Sequence, residues 1–238
     1  MGDDETGDEV VWGTIEGQTI TFPMEVTSFN AATMGFSVPT DAASALLPGD
    51  AFVVAEIAPG TAQMIVSICD YRENPWGDYN EVNLGFLARP VDAGDEVLGS
   101  FIYRMPVDQE FTCTAGNEVM GFPKVVTQID ADYSDTHVTF RLWDQGEVAL
   151  SIGVPRIAPE GEPTRAESSS YSYLDGVAYA SPLAIDMASG MVDPGDVDIT
   201  VGTGPIGAEL ASLGLPKPPD FCTWGEGLSA TFQLGHQL

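Results

Sequence analysis

Basic residues are scarce in this sequence. It has only eight lysines and arginines against 36 aspartates and glutamates, which gives a formal net charge of −28 at pH 7. Proteins that bind nucleic acid need a positively charged surface to meet the phosphate backbone, so this composition excludes nucleic-acid partners. An acidic, lysine-poor surface is typical of halophilic proteins, because high salt screens the self-repulsion. A hydrophobic content of 44% argues against intrinsic disorder.

Cysteine, histidine and long apolar runs are also in short supply. The three cysteines, Cys69, Cys113 and Cys222, are far apart and form no CxxC pair, so they predict neither a disulfide framework nor a zinc site. Two histidines are too few for a histidine-based metal centre. No apolar run approaches the ~20 residues that span a bilayer, and no basic, apolar leader is visible. We therefore expect a cytoplasmic protein without membrane contact, metal or cofactor.

Short strand-like runs separated by turn residues dominate the rest of the pattern. They cover residues 10–15, 19–26, 51–58, 62–70, 82–88, 97–105, 125–132, 137–143, 148–154, 171–180, 197–201 and 228–234. Helical patterns cover residues 40–47, 108–120 and 206–213. Residues 71–79 and 155–170 indicate loops, and residues 1–9 an acidic flexible N-terminus ahead of one domain over 10–238. The sequence predicts a mainly β protein with a barrel or sandwich-like core and two or three short helices.

Lys124 stands out because the chain has only two lysines. Lys217 lies in Leu-Pro-Lys-Pro-Pro, which is typical of an exposed turn, whereas Lys124 is flanked by Phe122-Pro123 and Val125-Val126. Burial disfavours the charged form of an amine, and a neutral lysine can attack a ketone or aldehyde to form a Schiff base. The alternative is a lysine whose stem covers apolar surface while its head reaches water.

The helical pattern before Lys124 bears on the charge of its amine. Asp108 is a plausible N-cap, and Gly121 and Pro123 end the helix, so Lys124 follows directly after a helix C-terminus. The helix dipole at that end favours a positive charge. Burial would therefore have to outweigh the dipole for the amine to be neutral.

Two separated motifs resemble those of the acetoacetate decarboxylase-like superfamily. One runs from Val107-Asp108-Gln109-Glu110 through Gly116-Asn117-Glu118 to Gly121-Phe122-Pro123-Lys124, and the other is Gly77-Asp78-Tyr79-Asn80-Glu81. The resemblance extends over the chain from about Val10 onwards. It implies a cone-like antiparallel β-barrel with the lysine in its interior. It also implies an imine at Lys124 and a proton-shuttling role for Glu81.

The resemblance also suggests the surroundings of the lysine. Met120, Phe122 and Val125 would form a dry wall beside the amine, and Tyr79 is a further substrate-binding candidate. Arg72 and Arg104 are the nearby candidates to hold a substrate carboxylate, although either could be a surface counter-ion. We interpret Glu118 first as a structural residue that pairs with a backbone group or Arg104, and second as a site residue.

The chain departs from the family pattern at two positions near the lysine. Val125 replaces the second lysine of the solvent-producing decarboxylases, and Asn117 replaces the arginine of the Gly-Arg-Glu motif. Their N-terminal arginine also has no counterpart, because no Arg or Lys precedes Arg72. The carboxylate-handling groups of the family are therefore incomplete, which lowers the expectation of true acetoacetate decarboxylation and raises that of other Schiff-base chemistry on oxo acids. From the lysine and glutamate motifs we still expect a carbon–carbon lyase that acts on a small β-keto or oxo acid, and a homo-oligomer. The alternatives are a Schiff-base aldolase or dehydratase and a non-catalytic barrel that binds a small ligand.

Overall fold

The computed structural model describes residues 9–159 and 163–238 of the chain. Eighteen strands form in this part: β1 Val10–Ile15, β2 Gln18–Phe22, β3 Met24–Pro39, β4 Phe52–Val54, β5 Glu56–Ala58, β6 Thr61–Glu73, β7 Tyr79–Pro90, β8 Gly99–Val107, β9 Lys124–Val126, β10 Ile129–Tyr133, β11 His137–Asp144, β12 Glu147–Pro155, β13 Thr164–Leu174, β14 Val177–Met187, β15 Ser189–Val192, β16 Asp198–Val201, β17 Phe221–Phe232 and β18 His236–Gln237. The α-helices are α1 Thr40–Ser44, α2 Glu110–Met120 and α3 Pro205–Ser212, and a short 3-10 helix covers Pro194–Asp196. The flexible segment predicted at 1–9 lies outside the described residues except for Glu9.

Seven strands close into a barrel in the order β17-β3-β6-β7-β8-β13-β14, with β14 pairing back to β17. The mainly β fold, the barrel and the few short helices predicted from the sequence are confirmed. The predicted antiparallel arrangement is wrong at one place, because β13 pairs with β8 in parallel. The barrel is therefore mixed.

A second sheet, β10-β11-β12-β16, packs against the outside of the barrel. Alternate residues of the barrel strands point towards it, and Met34, Phe36 and Leu84 share one buried cluster with Phe140 and Ile152 of the second sheet. The side chains between them along the strands face the opposite way, into the barrel, because successive side chains of a strand alternate between its faces. The outward-facing side chains therefore form the core between the barrel and the second sheet, and the inward-facing side chains line the barrel interior.

The β1-β2 hairpin and α2 close one end of the barrel. Ile20 and Phe22 of β2 and Val119 of α2 belong to the same buried cluster as the inner-face residues Phe29 and Ile102. Burying this much apolar surface stabilises the contact, since each large aliphatic or aromatic side chain contributes about 1.5–3 kcal/mol. The helix therefore has a fixed position against the barrel interior.

Several predicted boundaries are wrong. The loop predicted at 155–170 is strand from Thr164, and the single strand predicted at 171–180 is two strands joined by a turn at Asp175-Gly176. The Ser-rich run Ser168–Ser170 has low intrinsic strand propensity, but pairing with β14 over the full length of β13 outweighs it. The predicted loop at 71–79 is shorter, because β6 continues to Glu73.

The helix boundaries need smaller corrections. Gln109, not Asp108, caps α2, and Asp108 instead accepts hydrogen bonds from the backbone and side chain of Asn80. Gly121 ends α2 in the left-handed conformation, as the sequence predicts. The predicted helix at 40–47 ends earlier, at Ser44. Within the described residues, no helix is both long and apolar enough to cross a bilayer.

Candidate active site

Three adjacent strands bring Lys124 and Glu81 together. Strand β8 lies between β7 and β9, with Val107 opposite Glu81 on one side and Met105 opposite Lys124 on the other. The β8–β9 pairing is parallel, and α2 provides the connection between the two strands. Residues that are 43 positions apart in the sequence therefore meet through strand register.

The corner between α2 and β9 fixes the backbone of Lys124. Gly121 has a φ of 64°, and the Phe122 N–H donates to the Gly116 carbonyl, so the chain leaves the helix sharply. Asn117 then holds the Lys124 peptide from both sides: its Oδ1 accepts from the Lys124 N–H at 2.9 Å and its Nδ2 donates to the Lys124 carbonyl at 3.1 Å. The side chain of Lys124 is thereby directed into the barrel.

The Lys124 amine forms a buried ion pair with Glu81. Nζ lies 2.8 Å from Glu81 Oε2, and each of the two side chains is only 4% exposed. The amine also donates to Thr112 Oγ1 at 3.2 Å, and it lies 5.2 Å from the centre of the Tyr79 ring. Withdrawing both charges from water is costly, and the short contact between them, together with the further hydrogen bonds of each side chain, offsets that cost.

Glu81 has neutral polar neighbours on its other side. Its Oε1 accepts from Asn83 Nδ2 at 3.1 Å, and the Tyr71 hydroxyl lies 3.5 Å away. Burial, and then the Glu81 charge, raise the pKa of both Tyr71 and Tyr79 well above the ordinary value, and the same two causes raise the pKa of the Cys69 thiol. These groups therefore remain protonated at neutral pH.

The ion pair opens into a cavity of about 220 Å³ inside the barrel. Apolar side chains form most of its wall, among them Trp76, Met120 and Phe122. Within the described part of the chain, Glu81 and Lys124 are the only charged residues in the lining. An amine, a carboxylate within proton-transfer distance and a mostly apolar wall are the components that imine chemistry requires.

A family model for acetoacetate decarboxylase (ADC) matches residues 15–218. The chain belongs to the acetoacetate decarboxylase family. No curated protein matches it.

Solved structures of acetoacetate decarboxylase-like proteins have the same fold as this member. The acetoacetate decarboxylase from Legionella pneumophila subsp. pneumophila str. Philadelphia 1 superposes with a TM-score of 0.67 and 12% identity over 91% of this chain and 87% of that one. The enduracididine biosynthesis enzyme MppR complexed with pyruvate superposes with a TM-score of 0.64 and 16% identity over 93% of both chains. MppR complexed with the condensation product of pyruvate and imidazole 4-carboxaldehyde superposes with a TM-score of 0.59 and 15% identity, over 92% of this chain and 90% of that one.

Among the candidate residues suggested by the acetoacetate decarboxylase motifs, five meet in the cavity. Lys124, Glu81, Tyr79, Met120 and Phe122 all line it. Val125, expected in the dry wall, is 55% exposed and points away, because it follows Lys124 on the short strand β9. Inward-facing residues of the barrel strands, and not Val125, form the cavity wall beside Lys124.

The two arginines expected to hold a substrate carboxylate lie outside the cavity lining. Arg72 forms a salt bridge with Asp70 and lies over the Tyr133 ring. Arg104 is opposite Leu84, on the outer face of the barrel, and donates twice to the Glu209 carboxylate, at 2.6 and 2.7 Å. Both guanidinium groups are thus engaged by carboxylates of the chain.

Glu118 lies on the exposed side of α2. The expected pairing with Arg104 does not form, since Arg104 binds Glu209. Thr112, Asn83 and Asn117 contact the lysine or the glutamate and were not predicted. The sequence could have indicated Asn117, because it occupies the arginine position of the family motif. No group of metal-binding side chains occurs among the described residues.

Proposed function

We propose that this protein is a carbon–carbon lyase that decarboxylates a small β-keto acid through an imine at Lys124, with Glu81 as the proton shuttle. The observation that supports it most directly is the buried 2.8 Å pair between Lys124 Nζ and Glu81 Oε2 at the wall of an apolar cavity. We include in the proposal one catalytic domain over residues 10–238 that acts in the cytoplasm as a homo-oligomer.

The proposed reaction begins with proton transfer from the Lys124 ammonium to Glu81. The free amine attacks the ketone carbon, and the carbonyl oxygen leaves as water after accepting protons, one of them from Glu81. The resulting iminium accepts the electron pair of the breaking carbon–carbon bond, so carbon dioxide leaves and an enamine remains. Protonation of the enamine carbon, followed by hydrolysis, releases the ketone and restores the amine.

The charge distribution of the cavity favours decarboxylation over reactions that keep the carboxylate. Apart from Lys124, which the imine consumes, no cation of the described residues lines the cavity. A substrate carboxylate would be poorly solvated there, because burying an anion without a partner is costly. Loss of carbon dioxide removes that charge from the bound substrate, whereas aldol or dehydration chemistry on an oxo acid retains it.

An imine-forming aldolase or dehydratase is the second candidate. MppR, with the same fold, is described in complex with pyruvate and with a condensation product of pyruvate. Release of carbon dioxide from acetoacetate or a larger β-keto acid separates the two reactions. A barrel that only binds a ligand would give neither carbon dioxide nor an imine.

Covalent trapping of Lys124 tests the imine directly. The protein is incubated with acetoacetate or pyruvate, reduced with borohydride, and analysed by intact mass and peptide mapping. We expect a single adduct on Lys124 that is absent in Lys124→Ala. Lys217 provides an internal comparison, because it is the other lysine of the chain. Absence of any adduct, or adducts only on Lys217 or the N-terminus, would leave the binding-protein alternative.

The variant Glu81→Gln tests the proton shuttle. Glutamine keeps the size of the side chain and one acceptor oxygen, which can still accept from Asn83, but it cannot accept the proton of the amine. We expect turnover to fall about a hundredfold to ten-thousandfold, which is the usual contribution of a general acid–base group. Circular dichroism checks that the variant is folded. Wild-type turnover would show that Glu81 is not the shuttle.

A further inference from the structure

A row of uncharged polar side chains crosses four neighbouring strands inside the barrel. Thr223 of β17 is opposite Thr33 of β3, Thr33 is opposite Ser67 of β6, and Ser67 is opposite Asn83 of β7. All four residues line the cavity. We call them the polar belt.

The polar belt lies at a defined distance from the reacting groups. Glu81 and Asn83 are two residues apart on β7, as are Cys69 and Ser67 on β6, and Glu81 is opposite Cys69. Since a strand rises about 3.4 Å per residue, the polar belt is displaced by roughly 7 Å from the level of Glu81. A ligand bound at Lys124 can therefore reach it with its far end.

Asn83, which lines the cavity, has a side-chain oxygen without a hydrogen-bond partner among the described residues. Its Nδ2 donates to Glu81 Oε1 at 3.1 Å, and because a carboxylate can only accept, this bond fixes which side of the amide faces Glu81. The Oδ1 atom then faces away from Glu81, and it is buried and accepts no hydrogen bond from the described protein residues. A buried amide oxygen without a donor is unfavourable, so this position favours a ligand that donates.

Ser100, on the neighbouring strand β8, provides a second polar group without a hydrogen-bond partner in the described part of the chain. Ser100 Oγ of β8 is buried without a hydrogen-bond partner among the described residues and lines the same cavity. It lies 3.0 Å from the point that a Cβ of Gly85 would occupy, and Gly85 is the next inward-facing residue after Asn83. Within the polar belt itself, Thr33 and Ser67 share a hydrogen bond of 3.2 Å, which leaves their remaining lone pairs available.

We propose that the polar belt, together with Ser100, is a second binding subsite that takes an uncharged hydrogen-bond donor, a hydroxyl or an amide, at the end of the substrate distant from Lys124. This substrate assignment rests on the proposed imine function. Asn83 Oδ1 requires a donor, which excludes a carboxylate as its partner. Apart from Lys124, which pairs with Glu81, no cation of the described residues lines the cavity to bind an anion. The cavity volume of about 220 Å³ exceeds the 150 Å³ that is known to accommodate benzene, so it has room for a longer substrate than acetoacetate.

The test uses ligands without a ketone or aldehyde group, so that it is independent of the imine. Heptane-1,6-diol, heptan-2-ol and 6-hydroxyheptanoate have chains of equal length that end in a hydroxyl, a methyl and a carboxylate. Their binding to the wild-type protein is measured by titration calorimetry in high KCl. One hydrogen bond corresponds to about a tenfold change in affinity, so we expect the diol to bind about tenfold more tightly than heptan-2-ol. We expect 6-hydroxyheptanoate to bind most weakly.

Variants of the subsite complete the test. Ser67→Ala and Ser100→Ala should reduce the diol preference several-fold each, and Asn83→Ala should abolish it. Ser151→Ala, on β12 of the second sheet, is the matched control and should retain the preference. Equal affinity of the diol and heptan-2-ol in the wild type, or tighter binding of the carboxylate, would overturn the subsite.

The outcomes for the subsite and for the proposed function are distinguishable. Heptan-2-one and 7-hydroxyheptan-2-one are trapped on Lys124 with cyanoborohydride in a parallel experiment. Trapping of both ketones with no diol preference would support the imine and contradict the subsite. A diol preference without any trapped ketone would support the subsite and contradict the imine.

Discussion

Gly116 determines whether the Lys124 side chain has room to reach the cavity. A Cβ at position 116 would lie 2.6 Å from both Cδ and Cε of Lys124, which is closer than real Cβ contacts occur. The glycine sits in the last turns of α2, where any other residue except proline would be a better helix former. Glycine at this position therefore lowers the stability of the helix but leaves room for the Lys124 side chain.

We expect Gly116→Ala to displace the amine and to lower turnover about a hundredfold, since a misplacement of about 1 Å can cost that much. The alanine itself favours the helix by about 1 kcal/mol, so the fold should persist. Steady-state kinetics and the yield of the trapped Lys124 adduct provide the measurement. Thr114→Ala, on the same helix but outside the cavity lining, is the control. Unchanged kinetics for both variants would contradict this role of Gly116.

Single residues also show what sequence reasoning can and cannot find in the candidate site. Lys124 and Glu81 are identifiable because lysine is rare in this chain and because each lies in a recognisable motif. The roles of Asn117 and Asn83 are not, since each depends on a contact that the backbone path creates. Asn117 reaches Lys124 only because the chain reverses at Gly121, and Asn83 contacts Glu81 because both point inward on β7.

At the scale of elements, α2 is held by a cap that joins it to the loop before β7. Gln109 Oε1 accepts from the Thr112 N–H at 2.6 Å, and its Nε2 donates to the Trp76 carbonyl at 2.6 Å. Thr112 in turn accepts from the Lys124 amine. One glutamine therefore connects the start of the helix, the cavity wall and the Lys124 amine.

We expect Gln109→Ala to lower the free energy of unfolding by about 1 kcal/mol, because loss of an N-cap usually costs 0.5–2 kcal/mol. The measurement is the urea midpoint at unchanged m-value. Gln233→Ala, with an exposed side chain, is the control and should leave the midpoint unchanged. An equal effect of both substitutions would show that the cap contributes nothing.

The elements differ in how far the sequence predicts them. The meander at β10–β12 and helix α2 have clear periodicity and turn residues, and both are found within a few residues of their predicted positions. Strand β13 was missed because its serines and charged residues favour a loop, and only pairing with β14 and β8 makes it a strand. Such pairing joins distant segments, so local propensity does not reveal it.

For the whole molecule, the few basic groups are fully engaged. Each of the six arginines forms a salt bridge with an aspartate or glutamate, and Lys124 pairs with Glu81. Lys217 donates to the Ser37 carbonyl. The net charge of −28 is therefore borne by carboxylates that no free cation of the described residues can neutralise. Mobile ions have to do so.

This charge predicts that stability rises with ionic strength. The Debye length falls from about 10 Å at 0.1 M salt to about 3 Å at 1 M, so molar KCl screens repulsion between carboxylates that low salt leaves in place. Salt also weakens the exposed ion pairs, but each contributes only up to about 1 kcal/mol. We therefore expect the melting temperature, followed by circular dichroism, to increase by at least several degrees from low to molar KCl.

A charge-neutralising variant distinguishes screening from other effects of salt. Glu147 and Glu167 are exposed on β12 and β13, so Glu147→Gln/Glu167→Gln removes two negative charges with little effect on packing. If repulsion limits stability, the double variant should melt at a higher temperature than the wild type in low salt, and the difference should shrink in molar KCl. Because a change of about 1 kcal/mol shifts the melting temperature of a domain this size by roughly 2–4 °C, the effect is measurable. A wild-type melting temperature that is unchanged or lower in molar KCl would show that the acidic surface is not an adaptation to high salt.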